Sequence, residues 1–249
     1  MVHFVGAGPG APDLITLRGA ALLERADVVI YAGSLVNPAM LSHCRDGCEI
    51  HNSAAMTLEE VLSVMERAEA AGQDTVRLHT GDPALYGALR EQTDALTERG
   101  ILWDITPGVS SLFGASAALG AEFTLPGVSQ SLIVTRLAGR TAVPEREGLR
   151  ELAGHGASMA IFLSAGMLEG VQAELLAGGF SADTPAAIVY KATWPEERVV
   201  RCAVGTLAAS GADIHKTALV LVGPFLDAPY ENSRLYDPSF TTEFREGDR

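Results

Sequence analysis

Three short stretches hold the residues best placed to do chemistry. Gly6-Ala7-Gly8-Pro9-Gly10-Ala11 follows the apolar run Val2–Val5 and satisfies the G-x-G-x-x-G/A spacing that docks a dinucleotide pyrophosphate on a helix N-terminus. Its context departs from that use. Pro9 and Pro12 remove amide donors where a phosphate would sit, and the next helical pattern begins only near Thr16. The second apolar run ends in Ile30-Tyr31-Ala32, with no acid to hold a ribose. A nicotinamide or flavin site is therefore not expected, and the same missing acid weakens an ordinary Rossmann-type methyltransferase reading. Thr80-Gly81-Asp82-Pro83 and Thr106-Pro107-Gly108-Val109-Ser110-Ser111 each close a further apolar run. Small residues at Gly81, Gly108, Ser110 and Ser111 let backbone amides and carbonyls approach a ligand closely. Asp82 has two readings: a carboxylate that bonds a ligand at a strand's carboxyl end, or the side chain of an Asx turn before Pro83.

Charge decides which partners are plausible. The chain carries 31 acidic and 18 basic residues, a formal −13, so its field repels nucleic-acid phosphate and anionic membrane surfaces, and neither partner is expected. Lys191 and Lys216 are the only lysines; the other basic residues are Arg, whose planar fork pairs carboxylates bidentately. An anionic ligand needs a local patch of such side chains. His79 lies in an apolar run and reads as a satisfied core histidine. Tyr31, His79, Asp82 and Tyr86 fall near the turns, and none stands out as a general base. His43, Cys44, Cys48 and His51 are ligand types that zinc prefers, yet Cys-x3-Cys on a helix is equally a buried i, i+4 pair, and no metal is expected. Trp194 suits either stacking on a flat ligand or a place in the core.

These turns need a scaffold, and the pattern supplies one. Strands are expected at Val2–Val5, Val28–Tyr31, Val76–His79 and Ile101–Ile105. Between them fall helices capped by Thr16 and by the Thr57-x-x-Glu60 box, the latter stopping at Gly72, and a helix from about Tyr86 to Gly100. A Gly/Ala/Ser-rich helix follows near Val109–Leu119. Beyond it strands come closer together, at Leu132–Thr135, Met159–Leu163, Ala187–Tyr190, Val199–Ala203 and Leu219–Val222, with a helix at Met167–Leu176, which suggests a mixed sheet. At 249 residues and 47% hydrophobic composition the chain has room for two lobes. The expected division is an N-terminal α/β domain over residues 1–115, a C-terminal α/β domain over 116–226 and a tail over 227–249. The N-terminus has no basic segment ahead of a long apolar one, no run is apolar enough to span a bilayer, and three cysteines do not make a disulfide framework. A cytoplasmic protein is expected.

In chain order, Val5-Gly6-Ala7-Gly8-Pro9-Gly10, Thr80-Gly81-Asp82-Pro83 with Tyr86-Gly87, and Thr106-Pro107-Gly108-Val109-Ser110-Ser111 resemble the tetrapyrrole methylase family. Its members use S-adenosylmethionine on corrinoid precursors, sirohaem precursors and a few unrelated substrates. The segments Tyr31-Ala32-Gly33-Ser34-Leu35-Val36, His51-Asn52-Ser53-Ala54, Thr135 to Thr141 and Tyr190 to Glu197 are similar to the branch that methylates a corrin ring carbon in cobalamin assembly. The resemblance implies an α/β fold of two domains, the first with a mainly parallel sheet and the second with a mixed one, a cofactor cleft between them, and a homodimer. It implies S-adenosylmethionine contacts at Pro9, Thr80, Gly81, Asp82, Leu85, Ser110 and Ser111, with Leu163 packing on adenine and Ala192 and Ala218 near it. It also implies a tetrapyrrole bearing several carboxylates, for which Arg136, Arg140, Lys191 and Tyr86 are the candidate contacts. Methylation at another ring position, or a non-catalytic sensor of nucleosides or tetrapyrroles, are the alternatives.

Overall fold

Hydroxyl caps set the starts of the first two α-helices. Thr16 Oγ1 accepts the Gly19 amide at 3.2 Å and opens α1 (Leu17–Arg25). Thr57 and Glu60 form a reciprocal capping box at the start of α2 (Leu58–Ala70), and Gly72 ends that turn at φ +68. The computed structural model describes residues 1–247; the last two residues of the expected tail lie outside the described residues.

Two compact units divide the chain, Met1–Ala115 with Lys191–Glu197, and Ser116–Tyr190 with the chain from Arg198. In the first, strands β1 (Val2–Gly6), β2 (Val28–Tyr31), β3 (Glu49–Asn52), β4 (Thr75–His79) and β5 (Trp103–Thr106) form an all-parallel sheet in the order β3-β2-β4-β1-β5. Strands β1 and β4 are buried along their whole length, as sheets covered on both faces require. On one face Val2, Phe4, Val28 and Ile30 pack with Val61, Met65 and Leu96 of α2 and α3 (Leu89–Glu98). On the other, Val5, Val29, Val76 and Leu78 pack with Leu22 and Leu23 of α1.

The chain passes to the second unit within α4 (Ser111–Leu119). There β6 (Leu132–Arg136), β7 (Ser158–Phe162), β8 (Pro185–Tyr190), β9 (Arg198–Ala203) and β10 (Ala218–Val222) form a mixed sheet, ordered β6-β7-β10-β8-β9. Only β6 and β7 run parallel. Met159, Ile161, Ile188 and Val220 pack under α5 (Leu149–Ala153), α6 (Leu168–Ala177) and α7 (Leu207–Ser210) through Leu149, Leu175 and Leu207.

The structure corrects two local expectations. The helix expected from Tyr86 begins only at Leu89, because Tyr86 and Ala88 adopt left-handed backbone at φ 57 and 47 and form a turn instead. Strand β3 went unrecognised: it is an edge strand with mostly exposed residues, so it needs no alternating apolar pattern.

Candidate functional site

Ligand sites in open parallel sheets lie beyond the carboxyl ends of the strands, and here three glycine turns converge there. A Cβ on Gly6, at the end of β1, would stand 2.6 Å from Gly108 Cα and from Gly81 O. One on Gly108 would stand 2.7 Å from Gly6 Cα. Backbone meets backbone with no side chain between, which only glycine permits. Gly8 and Gly81 exchange amide-to-carbonyl bonds of 3.2 and 2.9 Å, joining the first two turns. Asp82 joins the second to the third: Oδ1 accepts the Ala84 amide at 2.8 Å, while Oδ2 accepts the Gly108 amide at 2.9 Å. The Asx-turn reading of Asp82 is thus realised, together with a bond across the strand ends.

Neighbouring residues fill out this frame. Buried Pro9 packs on Gly114, where a Cβ would come 2.7 Å from its own Cβ. Buried Ser110 accepts the Leu112 amide on Oγ at 3.3 Å as α4 begins, with Ser111 beside it. Thr80 Oγ1 reaches Leu35 O at 3.5 Å, and the Leu85 amide donates to Asp82 O at 3.3 Å. The segment Lys191–Glu197 belongs to this unit: Thr193 Oγ1 accepts the Ala11 amide at 3.0 Å, and Trp194 lies against Gly10, where any Cβ would collide with the indole. Ala192 is buried, and Lys191 Nζ stands 4.8 Å over the Trp194 ring and 3.4 Å from Glu196. Trp194 is therefore used in packing on the glycine loop.

Tyr86 lines an open groove of about 820 Å³ with Leu89, Trp103 and Ile105. Its turn is held from below. Arg77 Nε donates to Gln92 Oε1 at 3.0 Å, and Gln92 Nε2 donates to Ala88 O at 2.9 Å. Burial pushes the Arg77 guanidinium down to about 10 and, with Arg77 alongside, His79 down to about 3. His79 is a buried core residue as expected, but not a satisfied one: its Nε2 has no hydrogen-bond partner. Arg90 pairs with Asp94 in exposed surroundings.

In the second unit the selected residues gather at one end of the sheet. Arg136 pairs in register with Phe162, which precedes Leu163; Ala218, at the start of β10, pairs with Tyr190. Arg136 Nη1 donates to Thr141 O at 3.1 Å and Nη2 to Ala142 O at 2.6 Å, closing the loop that carries exposed Arg140. Leu163 is 57% exposed at φ 52, and Thr217, just before Ala218, has φ 54.

Sequence reasoning missed this backbone signature. Tyr86, Ala88, Leu163, Lys191, Thr193 and Thr217 all have positive φ without being glycine, each at a cost of about 1–3 kcal/mol. Every one lies in or beside a segment singled out for chemistry. Nothing in residue type marks such positions. Asn37, whose Nδ2 donates to Gly10 O at 3.0 Å, was also missed, although an Asn-Pro step flags a turn. Cys44 and Cys48 are brought together by a turn through Gly47, not by a helix; burial and each other's proximity push the Cys44 thiol up to about 11. Among the described residues no cluster of His, Cys, Asp or Glu forms a metal site.

Residues 1–208 match the family model of tetrapyrrole (corrin/porphyrin) methylases. The chain belongs to that family. A cobalt-precorrin-4 C(11)-methyltransferase from Methanocaldococcus jannaschii is 51% identical, covering 98% of this chain and 95% of the relative. The X-ray structure of a cobalt precorrin-4 methyltransferase, a cobalamin biosynthetic enzyme, superposes with a TM-score of 0.88 at 46% identity, covering 91% of this chain and 95% of that one. The uroporphyrin-III C-methyltransferase of Thermus thermophilus, complexed with S-adenosyl homocysteine, gives a TM-score of 0.77 at 27% identity over 93% and 95% of the two chains. The methylase fold of a parallel-sheet unit followed by a mixed-sheet unit is thus the fold seen here.

Proposed function

We propose that this chain transfers the methyl group of S-adenosylmethionine to C-11 of precorrin-4, or of its cobalt complex, giving the corresponding precorrin-5 and S-adenosylhomocysteine in cobalamin biosynthesis. The observation that carries the reading is the 51% identity to a cobalt-precorrin-4 C(11)-methyltransferase over nearly the whole of both chains. We further place the enzyme in the cytoplasm as a homodimer; among the described residues no helix is long and apolar enough to cross a membrane.

The residues present fit the cofactor. Gly81 and Gly108 offer backbone free of side chains, Ser110 and Ser111 add hydroxyls, and Leu163 displays an apolar side chain at a strained position suited to an adenine face. When bound, S-adenosylmethionine supplies its own electrophile, a sulfonium methyl. The protein's work is then to hold and orient. In this reading Pro9, Thr80, Gly81, Asp82, Leu85, Ser110, Ser111, Leu163, Ala192 and Ala218 hold the cofactor, with Asp82 fixing the turns against one another. Arg140, Lys191 and Tyr86 meet the carboxylates and ring of the substrate, and Arg136 shapes the loop beneath Arg140 as well as adding charge. Holding the acceptor carbon in line with the methyl at roughly 3–3.5 Å is where the rate enhancement arises.

Incubation of the purified protein with precorrin-4, and separately with its cobalt complex, in the presence of ¹³C-methyl-labelled cofactor tests this reading. A new carbon at C-11 by NMR is the expected result. Labelling at another ring position would leave a methylase of different regiospecificity, and no labelling would leave a binding protein.

A further inference from the structure

Strand β4 carries Thr75, Arg77 and His79 on one face, at alternate positions along the centre of the first sheet. This is the face of Phe4, whose ring centroid lies 5.9 Å from that of His79, and the side on which Arg77, Gln92 and Ala88 secure the turn of Tyr86. Leu78, between them in sequence, packs on the opposite face with Val5 and Val29. Both ends of this polar file hold an orphan. Among the described residues the buried side-chain atoms without a hydrogen-bond partner are Thr75 Oγ1, at the amino end of β4, and His79 Nε2, at its carboxyl end. Native proteins rarely leave such groups unpaired, so each needs a reason. The carboxyl end is where this sheet architecture binds ligands, and His79 immediately precedes Thr80-Gly81-Asp82-Pro83.

We propose that His79 is a substrate-binding residue whose unpaired ring nitrogen hydrogen-bonds a polar group of the tetrapyrrole. This rests on the methylase reading above. Two observations favour the tetrapyrrole over the cofactor. Among the described residues no carboxylate lies in ion-pair reach of buried Arg77, whose partners are Ile30 O and Gln92, so an uncompensated cation stands beside His79 on this face, which suits a polycarboxylate and opposes a sulfonium. Tyr86, the candidate ring contact, is held from the same face. Burial keeps the imidazole neutral at physiological pH, so it offers one donor and one acceptor and no mobile proton. Its task is positioning, and the base question is untouched by it.

Thr75 is the internal control, since its orphan hydroxyl lies at the other end of the same strand. The experiment compares His79→Leu, His79→Gln and Thr75→Val with the wild type. It measures melting temperature, cofactor affinity by calorimetry, precorrin-4 affinity by absorbance titration, and steady-state constants. Expected for His79→Leu are an unchanged or higher melting temperature and cofactor affinity within twofold. Its precorrin-4 Kd and KM should be weakened by about tenfold, the size of one lost hydrogen bond in a desolvated site. His79→Gln should recover part of that loss, and Thr75→Val should leave binding and kinetics alone. Precorrin-4 affinity within twofold of wild type in His79→Leu would overturn the inference, as would a fall in cofactor affinity or a joint loss of binding and fold. A wild type that binds precorrin-4 without methylating it would remove the methylase reading and leave the binding comparison to decide this one.

Discussion

Asp82 accepts the Gly108 amide on Oδ2 at 2.9 Å while its other oxygen accepts the Ala84 amide at 2.8 Å, so one carboxylate ties together the turns that end β4 and β5. Both acceptors are spoken for by amides. Asp82→Asn must turn an NH₂ toward one of those donors, breaking a bond to a charged acceptor worth about 1.5–3 kcal/mol. A lower melting temperature and an S-adenosylmethionine Kd weakened by about tenfold are expected by thermal denaturation and calorimetry. Full cofactor affinity in a destabilised variant would confine Asp82 to the fold.

Gly108 tests the closeness of the turns. In Gly108→Ala the new methyl would meet Gly6 Cα at 2.7 Å and Gly81 O closer still, all of it backbone that no rotamer change can move. Overpacking of this kind costs about 1–3 kcal/mol. Gly100→Ala meets nothing within 4 Å and carries only the left-handed strain of φ +69, about 1 kcal/mol. Urea denaturation should rank Gly108→Ala below Gly100→Ala, and cofactor binding should suffer only in the former.

Leu163 separates stability from function. Exposed and left-handed, it gains little from burial and pays for its backbone, so Leu163→Gly should leave the unfolding midpoint unchanged or raise it by up to about 1 kcal/mol of stability. Under the proposed packing of Leu163 on adenine, cofactor affinity should fall. A variant that loses stability and keeps affinity would assign Leu163 to packing.

His79 gives a pH signature. Its folded pKa of about 3 lies below the 6.5 of an ordinary imidazole, so between these values the unfolded chain takes up a proton that the native protein refuses. Stability contributed by the neutral ring is complete above pH 6.5 and declines as pH falls toward 3. Between pH 6.5 and 5 the loss amounts to about 2 kcal/mol for this one group. Denaturation at both pH values, compared with His79→Gln, should show that slope in the wild type and its absence in the variant.

Most of the first unit was legible because its signals are local. Thr16, the Thr57/Glu60 box and Gly72 set helix ends by their own chemistry, and strands buried on both faces announce themselves as apolar runs. The glycine turns were legible as turns, though not the way Gly6, Gly81 and Gly108 meet, which depends on strand register. Tyr86 was placed in a helix because a left-handed tyrosine leaves no mark on composition. Arg77 and Gln92 form their bond only through the packing of α3 on the sheet. The orphan state of His79 follows from what its neighbours fail to offer, and a sequence does not state what is missing from a fold.

The segment Lys191–Glu197 lies in sequence between two strands of the second unit yet packs on Gly10 and Ala11 of the first. Residues 1–115 expressed alone would therefore present a glycine loop stripped of its indole cover. A chimera that borrows its second half from a relative would also import a foreign lid for the first loop. Attempts to recombine specificities within this family by splicing at residue 115 should carry the segment Lys191–Glu197 along with the half it completes.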